Sequence, residues 1–232
     1  LITSVLMMVL WFVQKRTGDA GIVVVAWAAM IGMLALGFVW WYDGYAARQW
    51  LVGVLGAVCA FRLAIHLLVD RVIKAEEEDG RYQMLRESWG ENTSRNMFWF
   101  YQAQAFFVLV FVTPIVLGQM NGVEGFQIWD GLGVGMWVIA VVGEMIADGQ
   151  LARWRRQPEN KGKTCRAGLW QYSRHPNYFF EWLHWWSYVL LNFGSNNLWV
   201  SLTGPLLMLF FPIKISGIPF AEQQALKSKG IE

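Results

Sequence analysis

The sequence has little charge. Asp, Glu, Lys and Arg make up 16% of its 232 residues, whereas they make up about a quarter of an ordinary soluble domain. Hydrophobic residues reach 56%, and several apolar runs approach or exceed the roughly 20 residues with which a helix crosses a bilayer. We therefore predict an all-α polytopic membrane protein. The net charge is only +2, and basic and aromatic residues do not alternate on a soluble surface. We therefore predict neither a nucleic-acid partner nor a protein partner.

Residues that bind metals or form disulfides are also scarce. The two cysteines, Cys59 in an apolar run and Cys165 in a basic loop, are expected to lie far apart, so no disulfide is predicted. The three histidines show no metal-ligand spacing with them, and no metal site is predicted. The sequence also lacks a GxGxxG motif after a strand, a Walker motif and a GxSxG motif. Any nucleotide must therefore be held by helices and loops.

Seven apolar segments predict about seven transmembrane helices in a single domain, 1–232. The segments are 1–14, 21–42, 47–69, 98–119, 129–147, 178–193 and 198–215. The turn residues Gly194, Ser195, Asn196 and Asn197 predict a tight hairpin between the last two helices. Two charged segments, 70–97 and 148–177, are expected to fold over the membrane-embedded part on its cytoplasmic side.

The basic residues predict the orientation of these helices. All of the 19 Lys and Arg except Arg48 and Arg62 fall in segments that seven alternating spans place on one side. Positive charge favours the cytoplasmic side of a membrane. We therefore expect the N-terminus outside and the C-terminus in the cytoplasm. In a bacterium, this would be the cytoplasmic membrane.

The densest polar motif is GLWQYSRHPNYFFEWLHW, from Gly168 to Trp185. Because proline disfavours helical geometry in the preceding residue and suits the first helical position, a helix is predicted to start near Pro176 or Asn177. Asn177, Glu181, His184 and Trp185 then share one face, and Tyr178 flanks them. An interfacial aromatic belt with a capping Asn is the alternative. A carboxylate one turn inside an apolar helix favours a functional site.

A second cluster, GEMIADGQLARWRR, lies about a dozen residues before this motif. Glu144 and Asp148 are spaced i, i+4, and arginines follow at 153, 155 and 156. These arginines are explained either by the positive charge of a cytoplasmic loop or by a polyanion site. In such a site carboxylates would accept ribose hydroxyl groups and arginines would bind phosphates.

Polar residues also fall inside two other apolar segments. Arg62 and His66 are spaced i, i+4 in the third segment, where they are either structural or face a cavity. In the fourth segment Tyr101 comes before Gln102 and Gln104, which cannot share one face.

These motifs resemble those of the steroid 5-alpha-reductase superfamily, and most closely its bacterial branch with the steroid-dehydrogenase-like domain, DUF1295. The resemblance rests on GLWQYSRHPNYFFEWLHWW, GEMIADGQLARWRR, RLAIHLL, GRY, ESWG and SGIPFAE, and it covers nearly the whole chain. Sterol reductases and isoprenylcysteine carboxyl methyltransferases share a looser RHPxY pattern.

The resemblance implies a seven-helix membrane reductase that binds NADPH in a cavity facing the cytoplasm. It implies that Asp148 and Arg155 lie near the adenosine and phosphate groups. The residues implied to line the rest of the cofactor channel are Arg81, Tyr82, Tyr172, Arg174, His175, Asn177, Tyr178, Glu181 and Trp185.

The first three segments lack the Gln-Glu pair with which steroid 5-alpha-reductases polarise a keto group, and Arg62 and His66 stand where a Tyr is expected. We predict that the substrate is a lipophilic enone, which enters from the bilayer. The protein is also expected to contact membrane lipids. His66 is the first choice of carbonyl donor, Tyr101 the second, and Arg62 a further candidate. An S-adenosylmethionine-dependent lipid methyltransferase and a non-catalytic membrane binding protein are the alternatives.

Overall fold

The computed structural model of the protein describes residues 1–42, 44–75, 77–214 and 218, and in this part of the chain every regular element is helical. The prediction of an all-α protein is therefore confirmed. The helices are α1 (Ile2–Thr17), α2 (Ile22–Gly37), α3 (Ala46–Leu68), α4 (Gly80–Trp89), α5 (Thr93–Gln119), α6 (Ile128–Arg155), α7 (Pro176–Leu191), α8 (Leu198–Ser201) and α9 (Thr203–Lys214).

Each of the seven predicted apolar segments contains helix. Four helical runs in the described residues are long and apolar enough to cross a membrane: Ile22–Trp40, Ala46–Ile73, Gly80–Gln119 and Ile128–Arg155. The predicted last segment is split, because one residue separates α8 from α9. With 16 residues, α7 is about 24 Å long, which is less than the roughly 30 Å of a hydrocarbon core.

The chain folds into two compact units, Leu1–Val123 and Glu124–Glu232. A single domain remains a prediction. In the first unit α2 packs along α3, and α5 contacts α1, α2 and α3. Small residues permit this close packing: a Cβ atom at Gly56 would lie 3.0 Å from Ile115, and one at Gly32 would lie 3.0 Å from the Phe61 ring.

Arg48 is buried at the start of α3, with 1% of its surface exposed. Its Nη1 donates hydrogen bonds to the carbonyl oxygens of Asn121, at 3.3 Å, and Val123, at 2.5 Å. Its guanidinium lies 5.5 Å from the centre of the Tyr45 ring. Backbone carbonyls need donors when they are buried, and this arginine supplies them after α5. This structural role accounts for one of the two basic residues outside the predicted cytoplasmic group.

Helix α4 is held to the first unit by a polar network. Arg86 donates from Nε to Glu78 Oε2 at 2.8 Å and from Nη2 to Gln14 Oε1 at 2.9 Å, so it links the end of α1 to the start of α4. The same Glu78 accepts a hydrogen bond from the Ala20 backbone N–H at 2.8 Å. Asp79 caps α4 by accepting from the Arg81 backbone N–H. These contacts determine where Arg81 and its neighbours lie.

The second unit is built on the pairing of α6 with α7, and α7 also contacts α9. The two paired helices approach closely at glycines of α6: a Cβ atom at Gly133 would lie 2.7 Å from Leu191, and one at Gly143 would overlap the Phe180 ring. Helix α6 starts with a capping box between Gln127 and Asp130. Close packing along α6 therefore fixes one face of α7 against it.

Candidate functional site

The polar motif forms a turn followed by a helix. Pro176 is the first residue of α7, as predicted, and the preceding His175 has a non-helical backbone. Before it, the Leu169 backbone N–H donates to Gln150 Oε1 at 2.8 Å, and Trp170 Nε1 donates to the Ala147 carbonyl oxygen at 2.8 Å. The segment that leads into α7 is therefore tied to the C-terminal part of α6.

One direct contact joins the two sequence clusters. Asn177 Nδ2 donates a hydrogen bond to Asp148 Oδ1 at 3.3 Å, although the residues are 29 positions apart in the chain. Both side chains are half-buried. The amide and the carboxylate therefore stand together where α7 begins beside α6.

A series of polar side chains continues from this contact along one face of α7. Trp185 Nε1 donates to Glu181 Oε1 at 3.2 Å, and His184 Nδ1 lies 4.0 Å from the same oxygen. His184 Nε2 lies 3.0 Å from the Tyr188 hydroxyl oxygen. His184, Trp185 and Tyr188 are buried. We refer to Asn177, Glu181, His184, Trp185 and Tyr188 as the polar face of α7.

The sequence predicted four members of the polar face and missed Tyr188. The signal that could have found it was spacing, because Tyr188 follows His184 by four residues and therefore stands one turn further along the same face. It lies in the middle of an apolar stretch, where a tyrosine is easily taken for a packing residue.

The arginines of the second cluster are on the surface. Arg153, Arg155 and Arg156 are exposed, and Arg153 Nε donates to the Gly149 carbonyl oxygen at 3.2 Å. Arg155 ends α6, two turns after Asp148. Exposed guanidinium groups near an Asp–Asn pair suit a phosphate-bearing ligand that comes from the aqueous side.

Other predicted cofactor residues lie elsewhere in this unit. Arg174, His175 and Tyr178 line an open groove with α9, and the rings of His175 and Tyr178 are stacked with centroids 5.1 Å apart. Tyr172 is 83% exposed. On a helix of 3.6 residues per turn, Tyr178 and Trp182 lie on a different side of α7 from Asn177, Glu181 and His184. The structure therefore divides the predicted channel residues between two faces of α7.

The remaining predicted cofactor residues belong to the first unit. Arg81 Nε donates to Asp79 Oδ1 at 2.9 Å, and Arg71 also forms an ion pair with Asp79. Tyr82 is 4% exposed, and its ring centroid lies 6.1 Å from that of Phe100. Arg81, the arginine of the GRY sequence, therefore forms an ion pair within the protein.

The three candidate donors differ in their environment. His66 is exposed in the last turn of α3, and Arg62 is half-buried one turn earlier. Tyr101 of α5 is 0% exposed, and its hydroxyl group has no hydrogen-bond partner among the residues that the structure describes. A buried hydroxyl group without a partner carries a desolvation cost, so its hydrogen-bonding capacity is available to a ligand.

The long apolar helices and the polar face of α7 define the class as a helical membrane protein. The chain belongs to the family described as "Protein of unknown function (DUF1295)", whose model matches residues 10–232. The predicted resemblance to DUF1295 is confirmed. A search of curated proteins and a search of solved structures found no match.

Proposed function

We propose that this protein is an integral membrane reductase that uses NADPH to reduce the activated C=C bond of a lipophilic enone. The observation that carries the proposal is the polar face of α7, which starts at the Asn177–Asp148 hydrogen bond. Ionisable residues in the apolar helices of membrane proteins are costly, and they mark functional sites when they point inward together.

The residues present are of the kinds that suit a phosphate-bearing dinucleotide. Its phosphates require cations, and Arg155 is exposed at the end of α6. Its ribose hydroxyl groups require an acceptor, for which Asp148 is the candidate. Its carboxamide requires both a donor and an acceptor, which Asn177 and Glu181 provide. The second unit thus contains a suitable group for each polar part of NADPH.

The reaction needs a hydride, a proton and stabilisation of developing negative charge. NADPH, when bound, supplies the hydride, which is added to the beta carbon of the enone. We assign the carbonyl donor to Tyr101 in preference to His66 and Arg62, because the Tyr101 hydroxyl group is buried and has no partner among the described residues. Its hydrogen bond to the carbonyl oxygen would strengthen as charge develops there. A proton from water or a side chain then completes the saturated ketone at the alpha carbon.

The proposal includes seven membrane-spanning helices, with the N-terminus outside and the C-terminus in the cytoplasm. The distribution of Lys and Arg supports this orientation. The nucleotide would then reach the start of α7 from the cytoplasm, and the substrate would enter from the bilayer. In a bacterium the protein would lie in the cytoplasmic membrane.

The first experiment is the thermal stability of the detergent-purified protein with NADPH, NADH and S-adenosylmethionine. A ligand at 100 times its dissociation constant stabilises the folded state by about 2.7 kcal/mol, which such an assay detects. We expect a shift with NADPH. A shift with S-adenosylmethionine alone would replace the proposal with methyl transfer, and no shift with any of the three would favour a non-catalytic protein.

Two variants test whether the polar face binds the nucleotide. Glu181→Gln keeps an oxygen for Trp185 and removes the charge, so it should abolish the NADPH shift while the protein stays folded. Glu159→Gln removes an exposed carboxylate from the loop after α6 and should leave the shift unchanged. An NADPH shift that survives Glu181→Gln would contradict the assignment of Glu181.

A further inference from the structure

The loop that follows α6 carries more positive charge than negative charge. Between residues 156 and 166 the sequence has four basic residues and one acidic residue, Glu159. We call this segment the basic loop, and its basic members are Arg156, Lys161, Lys163 and Arg166. All four are exposed, and none forms an ion pair with a carboxylate in the part of the chain that the structure describes. The positive charge of the loop is therefore directed to its surroundings.

The other charged segment of the protein, 70–97, uses its basic residues differently. It has five basic and seven acidic residues. Arg71 and Arg81 form ion pairs with Asp79, and Arg86 forms one with Glu78. Most of its positive charge is therefore paired within the protein. A general preference for basic residues beside a membrane does not account for this difference between the two segments.

The basic loop follows a helix that is long and apolar enough to cross a membrane. The 28 residues of α6 span about 42 Å, which exceeds the roughly 30 Å of a hydrocarbon core. Helix α7 begins at the same end of α6, where Asn177 contacts Asp148. Trp154 before the loop and the exposed Tyr172 after it are aromatic residues of the kind found at headgroup level. With α6 in the bilayer, the basic loop lies at the membrane surface.

Local hydrogen bonds give the basic loop a defined shape. Asn160 Nδ2 donates to the Trp154 carbonyl oxygen at 3.1 Å, which ties the loop to the end of α6. The Lys163 backbone N–H donates to the Asn160 carbonyl oxygen at 3.0 Å and closes a turn. Gly162 in this turn has a φ of 78°, a conformation that glycine adopts without strain. The turn therefore presents Lys161 and Lys163 together at the surface.

We infer that the basic loop binds the anionic lipid surface of the surrounding bilayer. Clusters of about four to eight basic residues directly after a membrane helix bind anionic headgroups, and each residue near the surface strengthens the binding by about fivefold. A surface of zwitterionic lipids has no net charge that matches the four cations. An anionic surface has that charge, and it lies within reach of a loop that starts and ends at the membrane.

The inference rests on α6 crossing the membrane and does not depend on the proposed reductase activity. Arg153 and Arg155 lie within α6 and are not part of the basic loop. Arg155 stays the candidate for the phosphates of the nucleotide. The end of α6 and the loop after it would thus serve two different anions.

The test measures how fast the lysines of the full chain react with an acetylating reagent in lipid nanodiscs. Nanodiscs of phosphatidylcholine are compared with nanodiscs that also contain phosphatidylglycerol with the same acyl chains. The exposed Lys74 of segment 70–97 is the reference, because an anionic bilayer changes the reagent concentration near every lysine. We expect the rates of Lys161 and Lys163, relative to Lys74, to fall by about fivefold or more with phosphatidylglycerol. The protection should disappear in roughly 1 M salt, where the Debye length is about 3 Å.

A double variant tests whether the four cations act together. Arg156→Gln combined with Arg166→Gln leaves both lysines in place, and it should return their acetylation rates toward those in phosphatidylcholine. Arg95→Gln, at an exposed arginine of segment 70–97, should leave the protection unchanged. NADPH or inorganic phosphate, added to phosphatidylcholine nanodiscs, should not protect Lys161 or Lys163, because neither provides an anionic surface.

Three outcomes would overturn the inference. Equal relative rates in the two kinds of nanodisc would show that the loop does not bind anionic lipids. Protection that persists in high salt would show that charge is not its cause. Equal protection by NADPH or phosphate, without phosphatidylglycerol, would assign the lysines to a soluble phosphate ligand. If the double variant does not fold, the comparison of nanodiscs with the unaltered chain still decides.

Discussion

Asn177 Nδ2 donates a hydrogen bond to Asp148 Oδ1 at 3.3 Å, and this contact joins the first turn of α7 to α6. Because one partner is a carboxyl acceptor and the other an amide donor, exchanging the two side chains keeps one donor and one acceptor at this contact. The contact therefore allows structure and ligand recognition to be separated by mutation.

The exchange variant gives the first prediction. Asn177→Asp places two carboxylates together and should lower the free energy of unfolding by about 1 kcal/mol or more, through the lost hydrogen bond and the repulsion between like charges. Adding Asp148→Asn should restore the stability. If NADPH binds where we propose, its binding should stay weak in the double variant, because the carboxylate has moved to α7. Thermal unfolding with and without NADPH measures both effects, and full recovery of binding would show that the position of the charge does not matter.

The second prediction concerns the Trp185–Glu181 hydrogen bond, of 3.2 Å. Trp185→Phe removes the donor but keeps most of the ring, and it should cost about 1.5–3 kcal/mol, as expected for a hydrogen bond to a charged group. Trp186→Phe is the control, since Trp186 Nε1 is buried without a hydrogen-bond partner in the described part of the chain. That variant also loses ring volume but breaks no observed hydrogen bond, so it should cost clearly less than Trp185→Phe. Equal losses in the two variants would mean that ring volume, not the hydrogen bond, determines the effect.

The third prediction tests the close packing of α6 on α7. A Cβ atom at Gly143 would overlap the Phe180 ring, so Gly143→Ala should destabilise the protein by about 1–3 kcal/mol through overpacking. Gly135→Ala, in the same helix, should instead stabilise by about 0.5–1 kcal/mol, because its Cβ atom would have no described neighbour within 4 Å. Phe180→Leu should partly rescue Gly143→Ala, and the absence of rescue would contradict this packing.

The fourth prediction concerns the buried Arg48. Arg48→Lys keeps the charge but removes the planar guanidinium group that reaches the Asn121 and Val123 carbonyl oxygens. We expect a loss of about 1–3 kcal/mol from buried carbonyl groups left without donors. The same change at the exposed Arg95 should have little effect. Thermal unfolding in detergent gives both values, and a neutral Arg48→Lys would mean that lysine, with water, replaces both hydrogen bonds.

Local signals in the sequence were enough to predict much of this structure. The apolar runs predicted the helices, Pro176 predicted the start of α7, and the 3.6-residue period placed Asn177 and Glu181 on one face. These predictions depend on residues that are close in the chain, for which steric and helical rules are strong.

Other features depend on which helix packs against which, and this is not contained in local spacing. The sequence grouped His175 and Tyr178 with Asn177, whereas the packing of α9 on α7 places the first two in a groove. Burial also depends on this packing. Arg48, at the start of α3, is buried, whereas His66, near the end of the same helix, is exposed.

The last prediction separates catalysis from stability at Tyr101. Its hydroxyl group is buried and makes no hydrogen bond to any described residue, so Tyr101→Phe removes no observed intramolecular hydrogen bond. The variant should therefore be as stable as the parent protein, or more stable, since an unsatisfied buried group is lost. If Tyr101 donates to the enone carbonyl, kcat/KM should fall by roughly 10²–10³, as for the removal of one oxyanion donor. The NADPH-dependent thermal shift should remain.

His66→Gln, at the competing donor, should leave kcat/KM within a small factor of the parent value. A large loss in His66→Gln with normal activity in Tyr101→Phe would reverse the assignment, whereas destabilisation of Tyr101→Phe would show that its hydroxyl group is satisfied within the folded protein.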